Sequence, residues 1–147
     1  TVKGVITLTK SHLERSHVKV VAELPSEPMP PVYAVQGQLD DVWLNLILNA
    51  HDALLGRKDG CITIRASYVP GSDFMEIMIE DNGPGIPEHI MNDIFRPFFT
   101  TKPVGEGTGL GLHICRQVIE RVSGSIEVKS EINKGTMFVV KLPVQPE

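Results

Sequence analysis

Residues 36–55, QGQLDDVWLNLILNAHDALL, restrict the fold more than any other segment. Wound as a helix at about 100° per residue, Leu39, Val42, Trp43, Leu46, Ile47, Ala50 and Leu54 fill one wide face, and Leu44, Leu48 and Leu55 fill much of the opposite side. A helix apolar on two sides is expected to lie buried between layers. One narrow polar stripe remains, made of Gln38, Asp41, Asn45, Asn49 and Asp52. Its last three members step by four and then three residues, so they stack along one edge. Asparagine is a poor helix former, so two of them inside a core helix need a reason. Three stand open: a solvated stripe at a seam, buried amides satisfied by backbone, or hard oxygen ligands for a magnesium ion that bridges phosphates.

The remaining segments alternate strands and helices. VKVVAEL (18–24) reads as a strand, Pro25, Pro28, Pro30 and Pro31 as a stiff connector, and VYAV (32–35) as a short strand. CITIRASY (61–68) and FMEIMIED (74–81) alternate on either side of the turn signal PGSD, which makes 61–81 a hairpin. A short helix is expected over 88–94, a long loop over 95–107 and a helix over 108–122 stopped by Ser123–Gly124. A second hairpin, 125–130 with 136–142, turns at Asn133–Gly135. Strands in hairpin pairs with helices between them favour an α+β fold: a two-layer α/β sandwich whose mixed, mostly antiparallel sheet is covered on one face by helices.

At 147 residues the chain fits one domain, with 41% apolar and 22% charged residues. The net charge is -4 and no Lys/Arg block is present, which argues against nucleic acid and membrane surfaces as partners. An anionic ligand would have to be met locally, by backbone amides, a lysine or a metal. Cys61 and Cys115 fit no zinc or CxxC spacing and are expected as buried free thiols in a reducing cytosol. No signal-peptide pattern is visible, and no apolar run approaches the ~20 residues of a membrane span.

Two glycine loops carry the chemistry. DNGPGI (81–86) begins where a strand ends, so Asp81 is an anchored carboxylate, and Gly83 and Gly85 allow a flat ligand to approach the backbone. A buried carboxylate only accepts hydrogen bonds. It suits the exocyclic amine of adenine and opposes the carbonyl that guanine presents there, a polar discrimination that can be large. GEGTGLGL (105–112) sets glycines at alternate positions running into a helix that Thr108 can cap, an anion site of free amides and helix dipole. It lacks the GK[ST] of a P-loop, and its glycine density suits a mobile lid. Between the loops, IFRPFFTTK (94–102) holds three of the five phenylalanines and Lys102, the nearest fixed cation to the phosphate loop. Such aromatics pin a loop to its domain or to a partner.

In this order, LNLILNAHDAL, DNGPGIP, IFRPFFTTK, GEGTGLGL and KGTMFVVKLP resemble the N, G1, F and G2 boxes and the closing Gly-Thr strand of the nucleotide-binding domain of sensor histidine kinases. That domain belongs with DNA gyrase, the HSP90 chaperones and MutL in one superfamily. The resemblance spans roughly residues 20–143. It implies a Bergerat-type fold over 18–147, with 1–17 as a helical linker from a dimerisation hairpin. It implies ATP and Mg²⁺ as cofactors. Asn49 would bind the metal, Asn45 would lie one turn earlier beside the phosphates, and Lys102 would complete the catalytic group. Asp81 would hold the adenine amine, with Gly83, Gly85, Ile86 and Thr136 around the base. Gly105, Gly107, Thr108, Gly109, Leu110 and Gly111 would wrap the phosphates, and Phe99, Thr100 and Thr101 would lead into that lid. Asp52 stands where many histidine kinases carry a basic residue; an acid there can instead hold metal-bound water.

The implied reaction is transfer of the γ-phosphoryl group of ATP to a histidine on a separate helical hairpin of the same protein. A response regulator receiver domain would follow downstream. The implied location is cytoplasmic, with any inner-membrane anchor elsewhere in the parent protein. HLERSHV (12–18) lacks the proline of the family's acceptor motif, so His12 and His17 are not expected as acceptors, and His51, His89 and His113 have no acceptor context. The ATPase switches and anti-sigma-type serine kinases of the superfamily typically carry Glu one turn before the metal-binding Asn. Asn45 stands there instead, and an amide cannot take a proton near neutral pH. Intact Asn49, Asp81 and glycine loops argue against a non-catalytic nucleotide-binding module.

Overall fold

A computed structural model of the chain describes residues 18–24, 36–99 and 111–144. The expected linker helix, the connector and short strand over 25–35, and Thr100, Thr101, Lys102, Gly105, Gly107, Thr108, Gly109 and Leu110 lie outside them. In chain order the elements are β1 (Lys19–Glu23), α1 (Gln36–Ala53), β2 (Cys61–Tyr68), β3 (Phe74–Asp81), the single turn α2 (Glu88–Met91), α3 (Gly111–Arg121), β4 (Ser125–Glu131) and β5 (Gly135–Pro143). Among the described residues the strands form one sheet in the order β1-β2-β3-β5-β4. Every pairing is antiparallel except β1 with β2, which is parallel, with Val20 opposite Ile62. This is the mixed, mostly antiparallel sheet expected, and the α+β class holds.

Strand alternation decides which face is covered. Ile62 and Ile64, Met75, Ile77 and Ile79, Phe138, Val140 and Leu142, and Ile126 all point to one side and are buried there. α1 lies across β2 and β3 on that side and alongside α3, which packs near β4. The seven residues expected on the wide face of α1, from Leu39 to Leu54, are all buried, each worth roughly 1.5–3 kcal/mol for the larger side chains. α3 adds Cys115 and Ile119.

The opposite side of α1 departs from expectation. Leu44 and Leu48 remain 36% and 38% exposed and Leu55 64%, so the helix is not enclosed between two layers. The fold has two layers, and α1 spends its wide face on the sheet and a flank on α3. Cys61 is also only half-buried, whereas Cys115 is fully buried, and both are free. α3 stops where Ser123–Gly124 predicted it. Ser123 takes φ 63°, its N–H bonds Glu120 O at 3.0 Å, and Gly124 N–H bonds Ile119 O at 2.9 Å. That is a Schellman ending.

Candidate active site

The site begins with a row across three adjacent strands. Asp81 ends β3 opposite Thr136 on β5, which is opposite Ser130 on β4, all on the helix-covered face. Asp81 and Thr136 are the buried polar residues of the described chain, at 5% and 6% exposure. One oxygen of the carboxylate, Oδ1, accepts the Gly83 N–H at 2.8 Å, and the backbone of Thr136 on the neighbouring strand also favours the charged form. Burial pushes the Asp81 carboxyl above its ordinary value, and those two backbone groups work against the rise. A carboxylate offers about four acceptor positions, so this one is held in place with capacity left for a ligand. A shallow recess of about 330 Å³ lies on the other face of the sheet at this point, lined by the neighbouring row Glu80, Met137 and Lys129.

The first glycine loop is bound on both sides. Asn82 Oδ1 accepts from Cys61 N at 2.7 Å and its Nδ2 donates to Asp59 O at 2.8 Å, tying the loop to the start of β2. Ile86 N donates to Ser130 Oγ at 2.7 Å, and Asn133 N to Pro84 O at 2.8 Å, tying it to the β4–β5 turn. The two glycines expected beside a base have protein reasons of their own. A Cβ on Gly83 would stand 2.8 Å from Asp81 Oδ1 and 3.1 Å from Ala53 O; one on Gly85, at φ 80°, would overlap the Glu131 carbonyl.

α1 brings the asparagine edge to this corner. Its last residue, Ala53, lies against Gly83, and Asn45, two turns earlier, lies against the start of α3: Asn45 Oδ1 is 3.7 Å from where a Cβ on Gly111 would be. Asn49 sits midway along the roughly 12 Å that eight helical residues span. Asn45, Asn49 and Asp52 are all half-buried. Burial pushes the Cys115 thiol up to about 12, and a hydrogen bond from the Asn45 side chain opposes that shift. Asn45 therefore lies beside the buried thiol and the first residue of α3. The Asn49 amide, a hard oxygen donor on a helix, fits a magnesium ion, with Asn45 one turn earlier.

The phenylalanines of the F box divide. Phe95 is buried edge-on against Phe138, with centroids 6.2 Å apart, under the Arg116 guanidinium at 5.3 Å. Phe99 packs partly buried on the core, as does Ile86. Phe98 points outward, 73% exposed at φ 64°. The structure thus brings Asp81, Gly83, Gly85, Ile86 and Thr136 together at one corner and sets Asn45 beside Gly111. The sequence reading missed Ser130. Its signal was a lone hydroxyl continuing the apolar face of Ile126 and Val128 at strand spacing.

Residues 34–146 match the family of histidine kinase-, DNA gyrase B- and HSP90-like ATPases. The chain belongs to that family, and its fold is that of histidine kinase catalytic domains. The nucleotide-free catalytic domain of histidine kinase ThkA is similar with a TM-score of 0.83 at 30% identity, covering 97% of this chain and 90% of that one. The sensor kinase CckA of Brucella abortus is 40% identical over 126 residues, 77% of this chain and 13% of that protein. The sensory histidine kinase/phosphatase NtrB of Rhizobium meliloti is 34% identical over 155 residues, 90% of this chain and 40% of that protein. The chain spans less than half the length of these two relatives. ATP binding is the role of the family. Among the described residues no helix is long and apolar enough to cross a membrane.

Proposed function

We propose that this domain binds Mg-ATP between the asparagine edge of α1 and the Asp81 corner, and transfers the γ-phosphoryl group to a histidine on a separate helical hairpin of the same protein. The supporting observation is Asp81: a buried carboxylate held by the Gly83 N–H, with acceptor capacity left for the adenine amine. The metal supplies charge neutralisation on the phosphates. Asn49 holds it through the amide oxygen, Asn45 orients the phosphates, and Asp52 takes metal-bound water. Lys102 and the lid from Gly105 to Gly111 embrace the phosphate tail, with Thr100 and Thr101 leading into it. No strong base is needed on this side of the reaction, because a neutral histidine is itself nucleophilic.

Phe98 presents an exposed apolar side chain and serves as an anchor for the hairpin. ThkA has been solved in complex with the response regulator TrrA, at 28% identity to this chain. A receiver domain is accordingly the downstream acceptor proposed here, in the cytoplasm, where ATP is available. The test is a phosphotransfer assay with the domain, Mg-ATP and the detached hairpin of its parent protein. The domain alone binds nucleotide and barely labels itself; the hairpin becomes labelled at histidine. Label on serine, or release of free phosphate alone, would sink the reading.

A further inference from the structure

Ser130 has no part in the reaction as proposed, yet its hydroxyl has three polar neighbours. It accepts from Ile86 N at 2.7 Å, lies 3.0 Å from Gly135 O and 2.9 Å from Thr136 Oγ1. A hydroxyl has one proton and two lone pairs. Gly135 O can only accept, so the Ser130 proton goes there. The Ile86 N–H fills one lone pair, and the other is open to the Thr136 hydroxyl. The Thr136 proton is thereby drawn toward β4, and its oxygen is left with lone pairs only. Thr136 is the register partner of Asp81 on the next strand, and both side chains are buried on the same, helix-covered face.

We infer that Ser130 is a positioning residue for purine selection: by holding the Thr136 proton it makes Thr136 a pure acceptor beside the Asp81 carboxylate. This rests on the adenine reading of Asp81. Two adjacent acceptors oppose a purine that carries a carbonyl where adenine carries its amine. A Thr136 hydroxyl released from Ser130 can turn and donate to that carbonyl, so the barrier against guanine falls. The Ile86 bond adds a second link, because the same hydroxyl that sets Thr136 also holds the first glycine loop.

The test is calorimetric titration of Mg-ATP and Mg-GTP into the domain as wild type, Ser130→Ala, Thr136→Val and the double variant. Ser130→Ala is expected to narrow the ATP-over-GTP preference about fivefold, the worth of one neutral hydrogen bond. Ser130→Thr keeps the hydroxyl and the preference. In the Thr136→Val background, Ser130→Ala leaves the preference unchanged. Equal losses for both nucleotides, or a narrowing that persists without the Thr136 hydroxyl, overturns the proposal. Should Ser130→Ala not fold, Ser130→Cys, close in volume and weak in hydrogen bonding, is expected to narrow the preference in the same way. Asp81→Asn separates the two readings. A preference that survives Asp81→Asn removes the adenine assignment and the role of Ser130 with it; a preference lost there but untouched by Ser130→Ala removes the role of Ser130 alone.

Discussion

The backbone carbonyl of Glu131 occupies the space in which a side chain on Gly85 would begin. The first glycine loop and the β4–β5 turn therefore meet backbone to backbone, with Asn133 N bonded to Pro84 O alongside. Gly85→Ala adds a methyl group into that contact at a positive φ. The expected cost is roughly 2–3 kcal/mol, seen in a thermal melt as a drop of about 5–10 °C for a domain of this size. Gly37, where an added Cβ meets nothing within 4 Å, is the control. Gly37→Ala on the helix should gain about 0.5–1 kcal/mol. Equal melting temperatures for the two variants would contradict the packing argument.

The carboxyl of Asp81 is raised by burial in the folded protein. The native state then keeps the proton to higher pH than the unfolded chain, so stability falls as pH rises between the two values. The penalty is complete once the pH exceeds the folded value. As pH climbs from the ordinary 3.8 toward neutrality, Asp81→Asn should gain stability relative to wild type. ATP affinity should move the other way, rising in wild type relative to the variant as the carboxylate forms. Melts and ATP titrations over that range check both signs together; a difference independent of pH contradicts them.

Asn49→Ala separates helix stability from metal binding. Alanine is the better helix former, so α1 should gain a few tenths of a kcal/mol, about 0.5. Mg-dependent nucleotide affinity should fall by at least about 10–100-fold, the range for partners that only support a metal ligand. A melting curve and a Mg²⁺ titration with nucleotide present give the two numbers. A stable variant with unchanged Mg²⁺ dependence removes Asn49 from the metal site.

Phe95 and Phe98 lie three residues apart and should fail differently. Phe95→Ala empties a buried position against Phe138 and should cost roughly 3–5 kcal/mol. Phe98→Asn places a residue tolerant of positive φ at an exposed site and should leave stability within about 0.5 kcal/mol. If Phe98 anchors the hairpin, the second variant binds ATP normally but phosphorylates the hairpin poorly, with the loss in KM for the hairpin. Normal transfer by Phe98→Asn would free that side chain of any docking role.

The wide face of α1 was legible because a single helical period sorts its residues, and Leu39, Val42, Trp43, Leu46, Ile47, Ala50 and Leu54 are all buried. Leu44, Leu48 and Leu55 were misread because periodicity tells which residues share a side and not whether a second layer exists to cover it. The two hairpins were legible from turn residues, but the parallel pairing of β1 with β2 was not. It joins segments separated by a helix, and no local signal marks it. Asp81 announced itself at a strand end before glycines. Ser130 did not, because its role depends on Ile86 and Thr136, which approach it from two other segments. The glycines were read for what they admit, whereas Gly85 is needed for what already touches it.

The last of the described strands, β5, occupies an interior place, between β3 and β4. During synthesis β3 therefore waits with one edge bare until residues 135–143 leave the ribosome, and the carboxylate at its end waits for Thr136. A premature stop even a few codons into β5 would remove the central seam of the sheet rather than a dispensable fringe.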